Sequence, residues 1–178
     1  MRFLETELAG AFVIELETAV DERGFFARSF CEKEFASQGL ASRFVQCNVS
    51  FNRKTGTTRG MHWQAEGHTE AKLVRCTAGA IFDVIVDLRS DSDTRNQAFS
   101  VELSAKNRRM LFVPAGFAHG LQSLLDDTEV FYQMSEFYNG GAERGFRWND
   151  PDVNIPWPGI PTFMSERDRA LPLLSEIE

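Results

Sequence analysis

The feature that most constrains this chain is its punctuation. Short apolar or alternating segments follow one another, each closed by turn-forming residues. "AFVIELET" (11–18), "SRFVQCNVSF" (42–51), "RGMHWQ", "AKLVRCTAG", "AIFDVIVDLR", "AFSVELS", "RMLFVPAG", "HGLQSLL", "EVFYQMSEFY" and "RGFRWN" are rich in β-branched and aromatic residues, the mark of strands. Between them stand Asp21-Glu22-Arg23-Gly24, Lys54-Thr55-Gly56, Ala78-Gly79, Ser90-Asp91-Ser92-Asp93, Asp126-Asp127 and Asn139-Gly140-Gly141, which favour tight turns. Regular short strands of this kind predict an all-β sandwich or barrel. Two short helices are expected beside it. "CEKEFASQGL" ends in a glycine suited to the C′ position, and "SERDRAL" opens like a capping box and stops at Pro172. With 178 residues and no internal repeat or linker, a single domain over 1–178 is expected.

Charge and composition narrow the partners. A net charge of −7 argues against a general nucleic-acid-binding face, while leaving room for a local basic pocket. The long apolar runs are broken by charge, as in "AIFDVIVDL", so no membrane span is expected. "MRFLETELAG" lacks the apolar stretch of a signal peptide. Cys31, Cys47 and Cys76 are odd in number and form no CxxC pair, which favours reduced thiols in a cytoplasm over disulfides or a zinc site.

In "TTRGMHWQ" strict alternation would put Arg59, Met61 and Trp63 on one face and His62 with Gln64 on the other. A strand histidine is either a hydrogen-bonded structural residue or a group poised for proton transfer near neutral pH. "EAKLVRC" sets Lys72, Val74 and Cys76 on one face. If Lys72 points inward it needs a counter-charge, and Asp83, an acid in the apolar strand "IFDVIVD", is the expected partner. That pair reads equally as a structural ion bridge or as part of a site. Tyr132 in "EVFYQM" is either a core filler or a proton donor, since a phenol stays protonated at neutral pH. Asp168 reads as the acid of the capping box opened by Ser165. Arg23 and Arg59 each flank a glycine beside aromatic strand residues, positions that suit recognition of a phosphate.

"PAGFAHG" (114–120) has the Pro-x-Gly-x-x-His spacing of the second cupin motif, in which the histidine faces the barrel cavity. A metal-binding cupin also needs His-x-His and a later Glu on one strand. Here His62 and His68 are six residues apart, and neither Glu66 nor Glu70 restores the pattern. The three histidines remain a conceivable ligand set for Zn²⁺ or Fe²⁺, but no metal is the expectation. His68, in "AEGHTE", is expected to be solvated.

The segments "DERGFF", "FVQCN", "RGMHWQ", "KLVRC", "FDVIVDLR", "LSAKNRRMLFVPAGFAHG", "EVFYQ", "RWND" and "SERDRALPLL" run in one order across nearly the whole chain. Together they resemble the dTDP-4-dehydrorhamnose 3,5-epimerases and related deoxysugar enzymes. The resemblance implies a cupin-type β-jelly-roll barrel with short flanking helices. It implies a homodimer with exchanged N-terminal strands, no cofactor, and a nucleotide-linked 4-keto-6-deoxysugar as substrate. By the same resemblance His62 is the base, Asp168 the carboxylate that orients it, Tyr132 the acid on the opposite face of the sugar, and Lys72 the cation near the ketone oxygen. Arg23, Gln46, Asn48, Arg59, His119, Glu143 and Arg167 hold the nucleotide-sugar, and Tyr138 lies beside the nucleobase. Arg28 stands where the family commonly has Glu, Cys47 where "QDN" is usual, and Val49 where His is common. Arg28 is therefore expected to add a phosphate contact or to suit another nucleobase.

The chemistry is coherent without the family. Protons at C3 and C5 are acidic because their loss gives an enolate on the C4 oxygen. A neutral imidazole can take them, a carboxylate can fix its tautomer, and inversion needs a proton from the other face. Phenylalanine-rich walls are expected to keep the enolate dry. Three readings result: inversion of C3, C5 or both; mono-epimerisation or ketone isomerisation on the same substrate class; and a ligand- or metal-binding cupin without catalysis.

Overall fold

The computed structural model describes residues 1–65 and 67–177. Two antiparallel sheets pack face to face, as the strand punctuation predicts. One contains β1 (Arg2–Glu5), β2 (Phe12–Glu15), β10 (Met110–Val113), β7 (Lys72–Ala78), β12 (Thr128–Met134) and β5 (Gln46–Asn52), in that spatial order. The other contains β13 (Glu143–Gly145), β6 (Thr58–Gln64), β11 (Phe117–Ser123), β8 (Ala80–Asp87) and β9 (Ala98–Ser104). A separate hairpin joins β3 (Thr18–Asp21) to β4 (Gly24–Ala27), its turn falling in the expected Asp21–Gly24 stretch. Strands β1, β3 and β4 are additions to the sequence reading, which recognised the turn but not the paired segments around it.

Alternation along the strands divides the apolar residues between three layers. Val74, Ile81, Ile85, Leu103, Leu111, Leu121 and Val130 come from both sheets and fill the space between them. Leu73, Met110 and Phe112 point the other way and are covered by Phe35 of α1 (Glu32–Ser37). Met61, Val84, Val86 and Ala118 lie on the outer face of the second sheet, under Phe146, Trp157 and the C-terminal residues Leu174 and Ile177. The phenylalanines depart from expectation. Phe3, Phe12, Phe30, Phe35, Phe44 and Phe112 gather in the layer beneath α1, mostly edge to face. Their quadrupoles favour that geometry, and the dry interior they make is structural.

Both predicted helices form, one turn or so each. Gly39 follows α1 with φ +71°, the left-handed stop anticipated from sequence. α2 (Glu166–Arg169) begins at Ser165, whose hydroxyl accepts the Asp168 backbone N–H at 3.0 Å. No helix among the described residues is long and apolar enough to cross a membrane.

Candidate active site

The two sheets part at one end around a cavity of about 630 Å³. Its walls come from β5 (Asn48, Phe51), β6 (Arg59, His62, Gln64), β7 (Lys72), β11 (His119), β12 (Tyr132, Met134), β13 (Glu143), α2 (Arg167, Asp168) and Tyr138.

Strand β6 brings Arg59 and His62 to the same cavity although they are three residues apart. Opposite it on β11, His119 pairs with His62 but Leu121 pairs with Arg59, so two steps on one strand face three on the other. This is a β-bulge, and it corrects the strict alternation expected from sequence, which set Arg59 with Met61 and Trp63. Gly60 makes the bulge feasible. Its φ is +108°, and a Cβ there would lie 2.6 Å from the Gly120 Cα and 2.7 Å from the His119 carbonyl oxygen. Beyond the bulge, Met61 is fully buried in the outer layer. Trp63 packs on Phe146 with ring centroids 6.1 Å apart, while also reaching the cavity wall.

His62 Nε2 is 2.9 Å from Asp168 Oδ1, and the Gly60 N–H donates to Asp168 Oδ2 at 3.3 Å. The capping box expected from sequence forms only by half, since the Asp168 carboxylate does not return to the Ser165 N–H. The Asp168 backbone N–H completes the Ser165 cap, while its side chain turns to β6. Burial pushes its carboxyl upward, but the contacts with His62, Gly60 and Ser165 outweigh this and hold it below the ordinary aspartate value. A second pair lies alongside, with His119 Nε2 2.8 Å from Asp83 Oδ1.

That second pair overturns the expected Lys72–Asp83 bridge. Asp83 is on β8 within the second sheet and opposes Leu121 of β11, which brings it to His119. Lys72 is on β7 in the first sheet, and its Nζ lies 3.0 Å from Glu70 Oε1 instead. The sequence offers Glu70 only as a candidate metal ligand. Its i, i+2 relation to Lys72 in "EAK" is the signal that points to a shared side. Glu66, the other acid weighed there, lies outside the described residues.

At the mouth, Glu143 joins three elements. Its Oε1 is 2.7 Å from Arg167 Nη2, and its Oε2 accepts the Tyr138 hydroxyl at 2.7 Å. Burial raises the Glu143 carboxyl, yet Arg167 and Tyr138 together keep it below the usual value. Glu143 in turn pushes the Tyr138 phenol upward. Gln64 braces the same loop, accepting the Asn139 N–H and donating to the Phe137 carbonyl.

Gln46 stands just behind the wall, its Oε1 accepting the Tyr138 N–H at 3.2 Å. Arg23 and Arg28 are elsewhere within the chain. Arg23 is exposed at the β3–β4 turn and pairs with Asp21, and Arg28 follows β4 and pairs with Glu34 of α1. His68 is exposed, 3.0 Å from the Asn139 amide. Of the phenylalanines, only Phe51 borders the cavity among the described residues. Among those residues no group of three or more His, Cys, Asp and Glu is arranged to hold a metal ion.

Two packed antiparallel sheets with an imidazole–carboxylate pair in the open end define a jelly-roll of the cupin type carrying an acid–base pocket. A family model described as dTDP-4-dehydrorhamnose 3,5-epimerase matches residues 5–176. The dTDP-4-dehydrorhamnose 3,5-epimerase of Methanothermobacter thermautotrophicus is 46% identical over 171 residues, 94% of this chain and 91% of that protein. The crystal structure of the Bacillus anthracis enzyme of the same name, with TDP and pyrophosphate bound, superposes with a TM-score of 0.94 at 43% identity, covering 97% of this chain and 99% of that one. A 3′-monoepimerase from Streptomyces bikiniensis in complex with dTDP-quinovose superposes at 0.87 with 29% identity, over 96% and 86% of the two chains. The chain belongs to the dTDP-4-dehydrorhamnose 3,5-epimerase family. It is an isomerase of the epimerase type, on the fold that the sequence resemblance implied.

Proposed function

We propose that this protein inverts C3 and C5 of a dTDP-linked 4-keto-6-deoxysugar by proton transfer through an enolate. The observation that carries the reading is the 2.9 Å contact between His62 of one sheet and Asp168 of α2, with Tyr132 lining the same cavity from the other sheet.

Asp168 holds one ring nitrogen of His62, which leaves the other nitrogen free to take a proton from carbon. The carboxylate then stabilises the imidazolium. Removing the C3 or C5 proton puts negative charge on the C4 oxygen, and Lys72 is the cation placed to receive it. Donors of this kind are commonly worth about 3–4 kcal/mol in the transition state. Inversion is completed when Tyr132, on the opposing sheet, protonates the other face of the enolate. Asn48, Arg59, His119, Tyr138, Glu143 and Arg167 border the same space, and we assign them to holding the nucleotide-sugar, with Arg59 and Arg167 suited to the diphosphate by charge and planar shape.

Arg23 and Arg28 enter this scheme through a second copy of the chain. Hairpin β3–β4 pairs only with itself among the described residues, and it exposes Val20 and Phe26 by 76% and 78%. Such apolar exposure fits a surface covered in a homodimer, with the hairpin reaching the neighbouring cavity. Light scattering at micromolar concentration tests this directly: a monomer would remove both arginines from the site. A cytoplasmic, cofactor-free enzyme is part of the same proposal.

Turnover in D₂O tests the function. Deuterium at both C3 and C5 with inverted configuration is the expected product, and no incorporation from any dTDP-linked 4-keto sugar would end the proposal. Inversion at C3 alone would instead favour the second reading, mono-epimerisation, which rests on the likeness to the 3′-monoepimerase.

A further inference from the structure

We propose that Glu70 is a positioning residue for the reaction, acting through Lys72. The proposal rests on the reading of Lys72 as the cation that receives charge on the ketone oxygen. Both side chains are in the cavity wall and almost wholly buried, at 6% and 8% exposure. Glu70 precedes β7, and Lys72 is that strand's first residue, two positions on. Lys72 Nζ lies 3.0 Å from Glu70 Oε1.

The other carboxylate oxygen is the telling atom. Glu70 Oε2 is buried and has no hydrogen-bond partner among the described residues. A buried carboxylate whose second oxygen goes unanswered is costly, and apolar replacement of buried ion pairs is often neutral or stabilising. Stability alone therefore gives a weak account of this acid. A positional role gives a better one. Lysine has a long flexible stem and a rotatable ammonium, so an unrestrained Lys72 would sample several rotamers in the open end of the barrel. Holding the ammonium against Glu70 leaves it donors for a ketone oxygen. The same contact supplies the counter-charge that a buried ammonium needs while the cavity is empty.

The test is a double-mutant cycle of Glu70→Ala and Lys72→Met, with thermal melting to confirm that each variant folds. Activity is read as deuterium uptake at C3 and C5 by NMR over hours, so that slow variants are still measured. In the wild-type background Glu70→Ala is expected to lower kcat by about 10- to 100-fold with KM nearly unchanged, part of what loss of an oxyanion donor costs. In the Lys72→Met background it is expected to have no further effect. Equal losses in both backgrounds, or no loss in either, would overturn the role of Glu70. If Lys72→Met alone turned over like the wild type, the reading of Lys72 would fail first, and this inference with it.

Discussion

Asp168 Oδ1 meets His62 Nε2 at 2.9 Å across 106 residues of chain. The contact joins a one-turn helix to the strand that carries the candidate base. Replacing Asp168 by Asn keeps the shape but loses the anion and offers a donor where an acceptor is needed. kcat is expected to fall by about 10²- to 10⁴-fold, with nucleotide affinity largely kept. Steady-state kinetics beside dTDP binding by calorimetry reads both quantities. An unchanged kcat would separate Asp168 from the proton transfer.

His62→Ala removes the base itself. Exchange of the sugar C3 and C5 protons with solvent should cease, while dTDP still binds, because the arginines at the mouth are untouched. Proton NMR in D₂O checks it, and full exchange in the variant would place the base elsewhere.

Tyr132→Phe keeps the ring and removes the phenolic proton. Deprotonation by His62 is unaffected, so exchange should survive better than inversion. The expected signature is deuterium returned to the original face. A variant that inverts as fast as the wild type would show that the acid is another group.

Asp87 offers a pH prediction away from the cavity. Burial pushes this carboxyl up, but Arg89, Ser92, Thr94 and the Arg89 N–H overcome that and bring it to about 2, below the 3.8 of an ordinary aspartate. The folded form therefore binds fewer protons than the unfolded chain between those values, so stability is complete above the unfolded pKa and falls as pH drops through the folded one. The difference is worth about 2 kcal/mol. Asp87→Asn should lose roughly that much at neutral pH and flatten the acid limb between about pH 4 and pH 2. Urea titrations across that range would reveal it.

Gly60→Ala should destabilise the protein by about 2 kcal/mol or more, since the added methyl meets backbone on β11 at a positive φ. Thermal melting measures the loss.

Much of this architecture is legible in the sequence because period and punctuation are local. The strands around "KLVRC" and "IFDVIVD" fall where alternation puts them, with Val74 inward and Leu73 outward. Gly39 and Ser165 mark helix ends by chemistry that acts within one turn. Alternation also groups His62 with Gln64 and Tyr132 with Met134, all four on the cavity wall, while the choice of that face comes from the family resemblance. What escaped the sequence is non-local. The Arg59 orientation depends on an extra residue in β6 that only the pairing with β11 makes visible. The partners of Lys72 and His119 depend on which sheet holds Asp83, and a one-dimensional pattern carries no such assignment. β3 and β4 were missed because their side chains face out of the chain, so burial leaves little trace in their sequence.

The bulge at Gly60 is a change of parity. Upstream of it the odd-numbered Arg59 looks into the barrel, and downstream the even-numbered His62 does. A regular strand that kept the three-residue spacing would still pair with β11, yet it would have to turn either the guanidinium or the imidazole toward the outer layer. Arg59 and His62 thus border one cavity at a spacing of three residues because of a single surplus position in the strand.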